Sequence, residues 1–492
     1  TSDEPYYWTN HNNITVTAWW PYTEGETTPP AVKVAADQSA RKNFEGSDLI
    51  VAEEQTVSYG NPTLRFTHRT ARVTVILTDY TEEQIFVRLT GLSTADGNPA
   101  VIAPYYDKGG DTYIALVAPQ TVAAGTAFIT CKFTNGKVFV YKMQNDAEWK
   151  AGEEYTYTVS LAAAEDPGYT VSEDGKTYEV YNAEGLKNLA KLVNEEGKTD
   201  IDITLTGDIT LTGEWTPIGT YDKPYTGTFD GGGKYTITGL TVTGSNDYVG
   251  LFGRIGSGGA VKNVILTEVN VTAGTSVGGI AGQNDGTVEN CSVNGTVTGR
   301  GFTDTGGIVG TNYGTISGCS AEGTVTGSVN VGGIAGGSYL GVTIVGCYSS
   351  AAVEGYSTVG GVVGNLGNNS SLMASYSTGN VTVTSTTGNA GGVVGVNAQG
   401  TVTACYHATG TVSGQGNVGG IVGMNNSGQN TACYWRSNPA NGIGKMDSGT
   451  NGTIKVDGDW QNAVTQMNAA LSGKGWQYEL KDGNSLPILK KQ

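Results

Sequence analysis

Acidic residues are the first groups in this chain of 492 residues that could do chemistry. Cleavage of a polysaccharide needs two carboxylates close together, or acidic metal ligands beside a residue that accepts a proton. Between Gly250 and Arg436 the sequence has ten charged side chains, and between Gly355 and Trp435 it has none. Because acid–base catalysis depends on such groups, we predict no catalytic residue along most of the C-terminal half.

A group of acids ahead of that stretch keeps an enzymatic alternative open. These acids are Asp208, Glu214, Asp222 and Asp230. They could line the cleft of a polysaccharide lyase or a glycoside hydrolase, or they could be solvated turn residues, as most Asp and Glu side chains are. We favour turn residues, and we retain a carbohydrate-active enzyme as the alternative function.

Other catalytic and metal-binding patterns are weak. The segment GTSVG at 274–278 matches the nucleophile elbow of hydrolases, and GQGNVG at 414–419 matches a dinucleotide-binding turn, but a strand and not a helix is predicted after each. The three histidines, His11, His68 and His407, are far apart in the sequence and lack the HExxH spacing of a zinc site. We therefore predict no catalytic residue, no metal and no cofactor.

The six cysteines are predicted to be buried thiols and not disulfides. Cys291, Cys319 and Cys347 recur at intervals of 28 residues. Equivalent side chains in successive repeats run parallel and do not point at one another as a disulfide requires. Cys131 lies alone in a predicted strand. Buried free cysteines behave as small hydrophobic residues.

An aromatic column directly follows the cysteine column. It consists of Tyr348, Tyr376, Tyr406 and Tyr434, with Trp435 and His407 beside it. Because neighbouring residues in a strand face opposite sides, inward cysteines predict an outward ladder of tyrosines. Such a strip could bind a sugar or a protein partner, so the four tyrosines and Trp435 are the candidate ligand-binding residues. The alternative, which we favour, is a ladder that only stabilises the sheet or is covered by another segment.

All these columns are spaced by a repeat of about 28 residues. Each repeat has a box of the form Gly-aliphatic-small-Gly, such as GIAG at 279–282, and a Val/Thr-rich segment such as GTVTG at 323–327. Val, Ile and Thr favour strands, and glycine favours the corners between them. Three short strands in each repeat predict a right-handed parallel β-helix whose coils stack on a common core. A column of asparagines, each two residues after a box, is expected to hydrogen-bond along the stack: Asn284, Asn312, Asn397 and Asn425.

Helical caps are expected at both ends of the β-helix, because open strand edges must be covered. Apolar residues recur at helical spacing in 182–196, where Asn182 is a suitable N-cap, and again in 459–472.

The first part of the chain has a different pattern. Residues 1–162 lack the repeat and contain alternating segments such as ARVTVIL and EYTYTVSL between turn residues, which predicts an antiparallel β-sandwich. We therefore expect an all-β protein with a sandwich at 1–162, a linker at 163–168 and a β-helix at 169–492. Its N-cap should lie at about 169–200 and its C-cap at about 446–492.

The charge balance excludes several classes of partner. With 28 Lys and Arg against 45 Asp and Glu, the formal net charge is −17, which opposes binding to nucleic acid or to an anionic membrane surface. No apolar run is long enough for a transmembrane segment, and the chain starts at Thr1 without an export signal. We expect that any export signal has been removed.

Both halves resemble known families. Residues 48–77, APQT at 118–121 and WKAGEEYTYTVSL at 149–161 resemble the fimbrillin-like proteins of Bacteroidetes. The repeat half, with FDGGGKYTITGLTV at 229–242, the glycine boxes and the cysteine column, resembles GLUG-motif β-helices of surface proteins.

These resemblances imply a fold and a function. The fimbrillin resemblance implies a transthyretin-like sandwich, export as a lipoprotein, and assembly with other fimbrial subunits by insertion of a partner's strand. We expect a non-catalytic adhesin or fimbrial component at the cell surface or outer membrane. Its β-helix would contact a surface glycan or protein, and a pure structural spacer is the remaining alternative.

Overall fold

The chain folds as two compact units, Thr1–Gly175 and Lys176–Gln492, and each is described by itself. The computed structural model describes residues 8–22, 25–79, 85–133, 138–161, 167–172, 175–367, 369–481 and 485–492. Most of the linker expected at 163–168 lies outside the described residues.

The N-terminal unit consists of short strands with one brief helix. The helix is α1 (Arg41–Gly46), and Thr94–Asp96 forms a single 3₁₀ turn. The strands are β1 (Ile14–Trp20), β2 (Ile50–Val57), β3 (Thr67–His68), β4 (Ala71–Thr78), β5 (Ile85–Leu89), β6 (Tyr105–Asp107), β7 (Thr112–Val117), β8 (Gln120–Val122), β9 (Ala127–Phe133), β10 (Val138–Lys142), β11 (Ala147–Trp149), β12 (Glu154–Ser160) and β13 (Tyr169–Val171).

Two of its sheets pack face to face, which confirms the predicted sandwich. One sheet has the order β12-β4-β7-β6 and the other β10-β9-β5. Val73 and Val75 from the first sheet and Ile129 and Cys131 from the second meet in one buried core. The expectation of a wholly antiparallel sandwich is wrong in one place, because β12 runs parallel to β4, with Glu154 opposite Arg72. The two strands are far apart in sequence, so a long connection can return the chain to the same end of the sheet.

The C-terminal unit is a β-solenoid whose coils stack in register, which confirms the predicted parallel β-helix of about 28 residues per coil. Asn284 lies beside Asn312 and Val261 beside Val288 in parallel ladders. Each complete coil contributes to four sheets, which we call sheets A to D, and in several coils the part in sheet B is divided into two strands.

Sheets A and B follow sheet C along each coil. The strands of sheet A are Thr177–Val180, Asp202–Leu205, Thr228–Asp230, Ala260–Lys262, Thr287–Glu289, Thr315–Ser317, Thr343–Val345, Ser371–Met373, Thr401–Thr403 and Gln429–Thr431. Those of sheet B are Ile209–Thr210, Thr236–Thr238, Thr241–Thr243, Ile265–Ala273, Ser292–Gly299, Ser320–Gly327, Tyr348–Ser349, Ala352–Gly355, Tyr376–Ser377, Val381–Val383, Tyr406–His407, Val412–Ser413, Cys433–Trp435 and Thr453–Lys455.

Sheets C and D flank the glycine box. The strands of sheet C are Phe252–Ile255, Ala281–Asn284, Val309–Asn312, Ala335–Ser338, Val363–Gly367, Val394–Ala398, Val422–Asn426 and Ile443–Met446. Those of sheet D are Val277–Gly278, Asp304–Gly306, Asn330–Gly332, Thr358–Gly360, Asn389–Gly391 and Asn417–Gly419. The sequence predicted three strands in each coil, which is one too few. Sheet D was missed because its strands are very short and end in the glycines that precede the box.

The box glycines are required by close packing. A Cβ on Gly392 would lie 2.2 Å from the carbonyl oxygen of Gly420 and 2.6 Å from the ring of His407. A Cβ on Gly310 would lie 2.5 Å from the backbone nitrogen of Val277 in the preceding coil. Real Cβ atoms do not approach other atoms so closely, so the box leaves room for neighbouring backbone and for inward side chains.

The polar and cysteine columns lie inside the solenoid as predicted. The side-chain amide of Asn284 donates to Asn312 Oδ1 at 2.8 Å, and the amide N–H of Gly314 donates to that same oxygen at 3.3 Å. All six cysteines fall within the described residues and are free and buried. The asparagine ladder therefore satisfies corner backbone groups, and the thiols fill the core.

Two helices accompany the solenoid. The first, α2 (Ala183–Asn194), begins after Asn182, whose side chain accepts a hydrogen bond from the Gly185 amide at 2.9 Å, as predicted. The second, α3 (Gln461–Ala470), lies within the predicted segment 459–472. A hairpin of Trp476–Glu479 and Ile488–Lys491 follows it. No helix within the described part of the chain is both long and apolar enough to cross a membrane.

Candidate functional site

The predicted tyrosine ladder is present on the outside of sheet B. Tyr348, Tyr376, Tyr406 and Tyr434 lie side by side in successive strands. The ring centroids of Tyr376 and Tyr406 are 4.6 Å apart with an interplanar angle of 4°, and those of Tyr348 and Tyr376 are 5.2 Å apart at 8°. Parallel strands repeat at about 4.8 Å, so identical outward side chains are brought into stacking contact.

Most of this ladder is covered by another segment, which agrees with the favoured alternative and not with an exposed strip of four rings. Tyr406 and Tyr434 are 0% and 2% exposed, whereas Tyr348 keeps 41% of its surface. The cover is the C-terminal strap, which we define as the described residues from 456 to 492. Its buried residues pack with Tyr406 and Tyr434 in one cluster and include Trp460, Met467, Leu471 and Tyr478.

Hydrogen bonds hold the strap against several coils. Tyr406 donates to the carbonyl oxygen of Pro487 at 2.6 Å, and Tyr478 donates to that of Ala404 at 2.9 Å. Further back along the solenoid, Lys491 Nζ lies 3.1 Å from Glu289 Oε1. The predicted C-terminal cap therefore lies along a side of the solenoid, because its apolar face is complementary to the ladder.

Trp435 and His407 do not flank the ladder on the surface. They lie in register with Ser377, and all three side chains are buried. Because Cys433 faces inward and Tyr434 outward, the next residue, Trp435, faces inward again. The inclusion of Trp435 in an exposed strip is therefore wrong, and the alternation of the strand explains why.

Burial changes the ionisation of the covered groups. It raises the pKa of Tyr376 to about 12, and it lowers the pKa of His407 from 6.5 to about 4. The neutral imidazole of His407 has Nδ1 2.8 Å from Ser377 Oγ and Nε2 3.1 Å from the Gly410 carbonyl oxygen. These partners identify His407 as a satisfied core residue.

The acids of the opening coils hold turns. Asp208 Oδ1 accepts the Thr236 amide at 2.8 Å, and Asp230 Oδ1 accepts the Gly232 amide at 2.9 Å. Glu214 accepts the amide and the hydroxyl of Thr243, and these bonds lower its pKa. Within the described residues there is no group of three or more His, Cys, Asp or Glu side chains arranged to hold a metal.

A second group of tyrosines, not singled out from the sequence, lies where sheets C and D meet. We call it the corner cluster, and it consists of Tyr221, Tyr248, Tyr313 and Tyr339. The rings of Tyr221 and Tyr248 are 5.1 Å apart, and those of Tyr313 and Tyr339 are 5.8 Å apart. Burial raises the pKa of Tyr313, and the charges of Asp304 and Asp285 raise it further.

Polar side chains connect the corner cluster to both sheets. Asp304 accepts hydrogen bonds from Asn330 at 2.8 Å and from the Thr311 hydroxyl at 2.9 Å. Burial raises the pKa of Asp304 despite these bonds. The sequence could have indicated half of this cluster. Asn312 and Ser338 occupy equivalent positions in successive coils, and Tyr313 and Tyr339 directly follow them.

A β-sandwich and a glycine-rich solenoid together define a repetitive all-β protein, and comparison with known families is consistent with this. Residues 1–175 match the family model described as fimbrillin-like. Residues 273–298 and 303–326 match the GLUG motif. The N-terminal unit is thus fimbrillin-like, and the solenoid contains GLUG motifs.

Individual relatives are distant. Halomucin of Haloquadratum walsbyi is 28% identical over 242 residues, which is 44% of this chain and 3% of halomucin, so the chain spans a small fraction of that relative. A Bacteroides ovatus structure described as a "putative immunoglobulin A1 protease" is 20% identical with a TM-score of 0.44, covering 66% of this chain and 95% of that one. A fimbrial protein structure from Bacteroides ovatus is 18% identical with a TM-score of 0.21, covering 33% of this chain and 39% of that one. At these values a structural likeness carries no inference about function.

Proposed function

We propose that this protein is a non-catalytic adhesin or fimbrial component of the cell surface. The N-terminal unit would serve assembly with other fimbrial subunits or anchoring, and the solenoid would display or contact a surface glycan or protein. The observation that carries the proposal is the match of residues 1–175 to the fimbrillin-like family.

The surface chemistry of the solenoid supports binding over catalysis. Asp208 and Glu214 hold turns through backbone amides, and Arg254 is paired with Asp285 at 2.6 Å. Asp304, the acid whose pKa burial raises, already has three hydrogen-bond donors around it. A general acid or base must reach a substrate proton, and these carboxylates are occupied by the protein itself.

The tyrosine ladder supports a structural role for most of its length. Only Tyr348 and the half-buried Tyr376 retain access to solvent along it. Ligand binding by the ladder is therefore restricted to these two rings, while Tyr406, Tyr434 and Trp435 serve packing.

Three measurements on the full chain test the proposal. Antibodies against the protein should label intact cells that express it, and the protein should co-purify with fimbriae. A reducing-sugar release assay on polysaccharides should give no product above a boiled control. An intracellular location would overturn the proposal, and reproducible sugar release would favour a glycoside hydrolase or lyase.

A further inference from the structure

The corner between sheets C and D is concave on the outside of the solenoid. Val331 and Val359 of sheet D point into the core, so their neighbours Asn330 and Thr358 point outward. The outward side chains of the two sheets touch, because Ser276 Oγ of the coil before lies 2.9 Å from Thr311 Oγ1. The two sheets therefore meet at a concave corner, and Ser276 and Thr311 are buried at its base.

Four tyrosine rings that keep part of their surface in solvent lie at this corner. Tyr221 is 54% exposed, and Tyr248, Tyr313 and Tyr339 are each half-buried. From the coil of Tyr221 to the coil of Tyr339 there are four steps along the stack, or roughly 19 Å at about 4.8 Å for each step. This length suits a short oligomer better than a single small molecule.

Gly337 and Gly367 leave room for the ring of Tyr339. A Cβ on Gly337 would lie 2.3 Å from the hydroxyl oxygen of Tyr339, and a Cβ on Gly367 would lie 3.3 Å from its ring. The Tyr339 side chain therefore lies across glycine backbone toward Asp304, whose Oδ1 accepts its hydroxyl at 3.3 Å. An aromatic ring held in this way is pre-organised before any ligand arrives.

Fixed polar groups lie between the rings. Arg254 Nε contacts Asp285 Oδ2 at 2.6 Å, and its guanidinium lies 5.0 Å from the centre of the Tyr221 ring. Gln283 donates to Asp285 at 3.0 Å. Arg254 and Asp285 neutralise each other, and Asp304 is surrounded by donors from Thr311, Asn330 and Tyr339, so the corner combines aromatic rings with hydrogen-bonding groups.

We propose that the corner cluster binds a neutral oligosaccharide. The C–H groups on one face of a sugar ring carry slight positive charge and pack on the negative face of an aromatic ring, while its hydroxyls bond to neighbouring amide and hydroxyl groups. The net charge of −17 disfavours acidic glycans. The inference rests on the proposed function and assigns its ligand class and site.

The test uses the full chain and defined probes. Linear hexasaccharides of glucose, mannose, galactose and N-acetylglucosamine are titrated by calorimetry and saturation-transfer NMR, with heparin hexasaccharide as the charged comparison. A second arm uses a neutral N-glycan carried on a glycoprotein, which separates free polysaccharide from glycoprotein as the source. We expect at least one neutral probe to bind and the charged one not to bind.

Variants locate the site. Tyr221→Ala and Tyr313→Ala should each weaken binding by about tenfold or more, because stacking surface is lost. Tyr313→Phe should retain most of the affinity, and Tyr59→Ala, which removes a tyrosine of the N-terminal unit that is 54% exposed like Tyr221, should leave it unchanged. Circular dichroism of each variant establishes that the fold is retained.

Several outcomes would overturn the inference. These are binding of no neutral probe, unchanged affinity in both alanine variants of the corner, or an equal loss of affinity in Tyr59→Ala. Cell-surface labelling is measured separately. If the cells are labelled but no sugar binds, this inference fails and the proposed function stands. If sugar binding depends on the corner cluster but the protein is absent from the cell surface, the proposed function fails and this inference stands.

Discussion

The solenoid carries two rows of outward tyrosines that differ in what lies over them. In the ladder, Tyr376 and Tyr406 stack nearly parallel, and the C-terminal strap buries the row from Tyr406 onward. In the corner cluster, Tyr221 and Tyr313 stand among polar side chains, and Tyr221 remains 54% exposed. The same residue type, facing outward from the same fold, serves packing in one place and leaves a surface open in the other.

The difference teaches that regular spacing favours burial. A ladder with identical rings at every coil offers a flat apolar strip that a segment of the same chain can cover. The corner rings are irregularly placed and interrupted by Asp285 and Gln283, whose hydrogen-bonding groups are costly to bury without partners. An irregular mixture of aromatic and polar groups is also the composition of ligand sites.

Truncation of a ladder ring should have the largest effect on stability. Tyr406→Ala removes a fully buried ring, and we expect it to lower the free energy of unfolding by about 3–5 kcal/mol. Tyr221→Ala, the matched change in the corner, should cost less than about 0.5 kcal/mol because that ring is largely exposed. Urea denaturation of the full chain, followed by circular dichroism, measures both. Equal losses would show that the two rows do not differ in burial.

Lowering the pH should reduce the free energy of unfolding through His407, whose side chain is buried inside the solenoid. Its pKa is about 4 in the folded protein against 6.5 when free, so the unfolded chain takes up a proton first as the pH falls. The contribution of neutral His407 to the free energy of unfolding is complete above pH 6.5. It is lost as the pH falls from 6.5 to 4, which lowers the free energy of unfolding by roughly 3 kcal/mol. His407→Ser, which matches Ser377 in the next coil, should remove this part of the pH dependence. A variant that keeps the wild-type slope would contradict the prediction.

The hydrogen bond from Tyr406 of the ladder to Pro487 of the strap can be tested separately. Tyr406→Phe keeps the ring but removes the donor to the buried Pro487 carbonyl oxygen, which should cost about 1–3 kcal/mol. Tyr348→Phe makes the same change on an exposed ring and should be neutral. Thermal unfolding of the two variants is the comparison, and a neutral Tyr406→Phe would mean that the strap does not depend on this bond.

Asp304, beside the corner cluster, should have a smaller effect on the pH dependence of stability, with the opposite sign to that of His407. Burial raises the pKa of Asp304, so the folded protein binds its proton before the unfolded chain as the pH falls. Asp304 should therefore add stability as the pH falls through its folded pKa toward 3.8, whereas His407 removes it. We expect a modest gain, because hydrogen bonds from Asn330, Thr311 and Tyr339 offset part of the burial. Subtracting the pH profile of Asp304→Asn from that of the wild type should reveal it, and a difference of the other sign would refute the assignment.

Much of the fold could be predicted from columns of residues. The intervals between Cys291, Cys319 and Cys347 predicted the stacked coils, and Asn182 predicted the start of α2. Sheet D was missed because two or three residues ending in glycine carry no strand pattern. The parallel pairing of β12 with β4 was missed because alternation shows which face a residue takes but not which way its neighbour runs.

The candidate site was predicted less well than the fold. The alternation of side chains along a strand correctly placed Tyr406 and Tyr434 on the outside. The same rule, applied to the residue after Tyr434, would have placed Trp435 on the inside. The corner cluster was missed because its members come from different positions of the repeat and meet only through the angle between sheets C and D.

The sequence alone determined the repeat, the stacked columns, the buried thiols and the scarcity of charge along the solenoid, because these follow from spacing and composition. Only the tertiary structure decided which outward tyrosines stay in contact with solvent. That outcome depends on where residues far apart in the chain meet, as when Pro487 accepts the hydroxyl of Tyr406, and no local pattern specifies such a meeting.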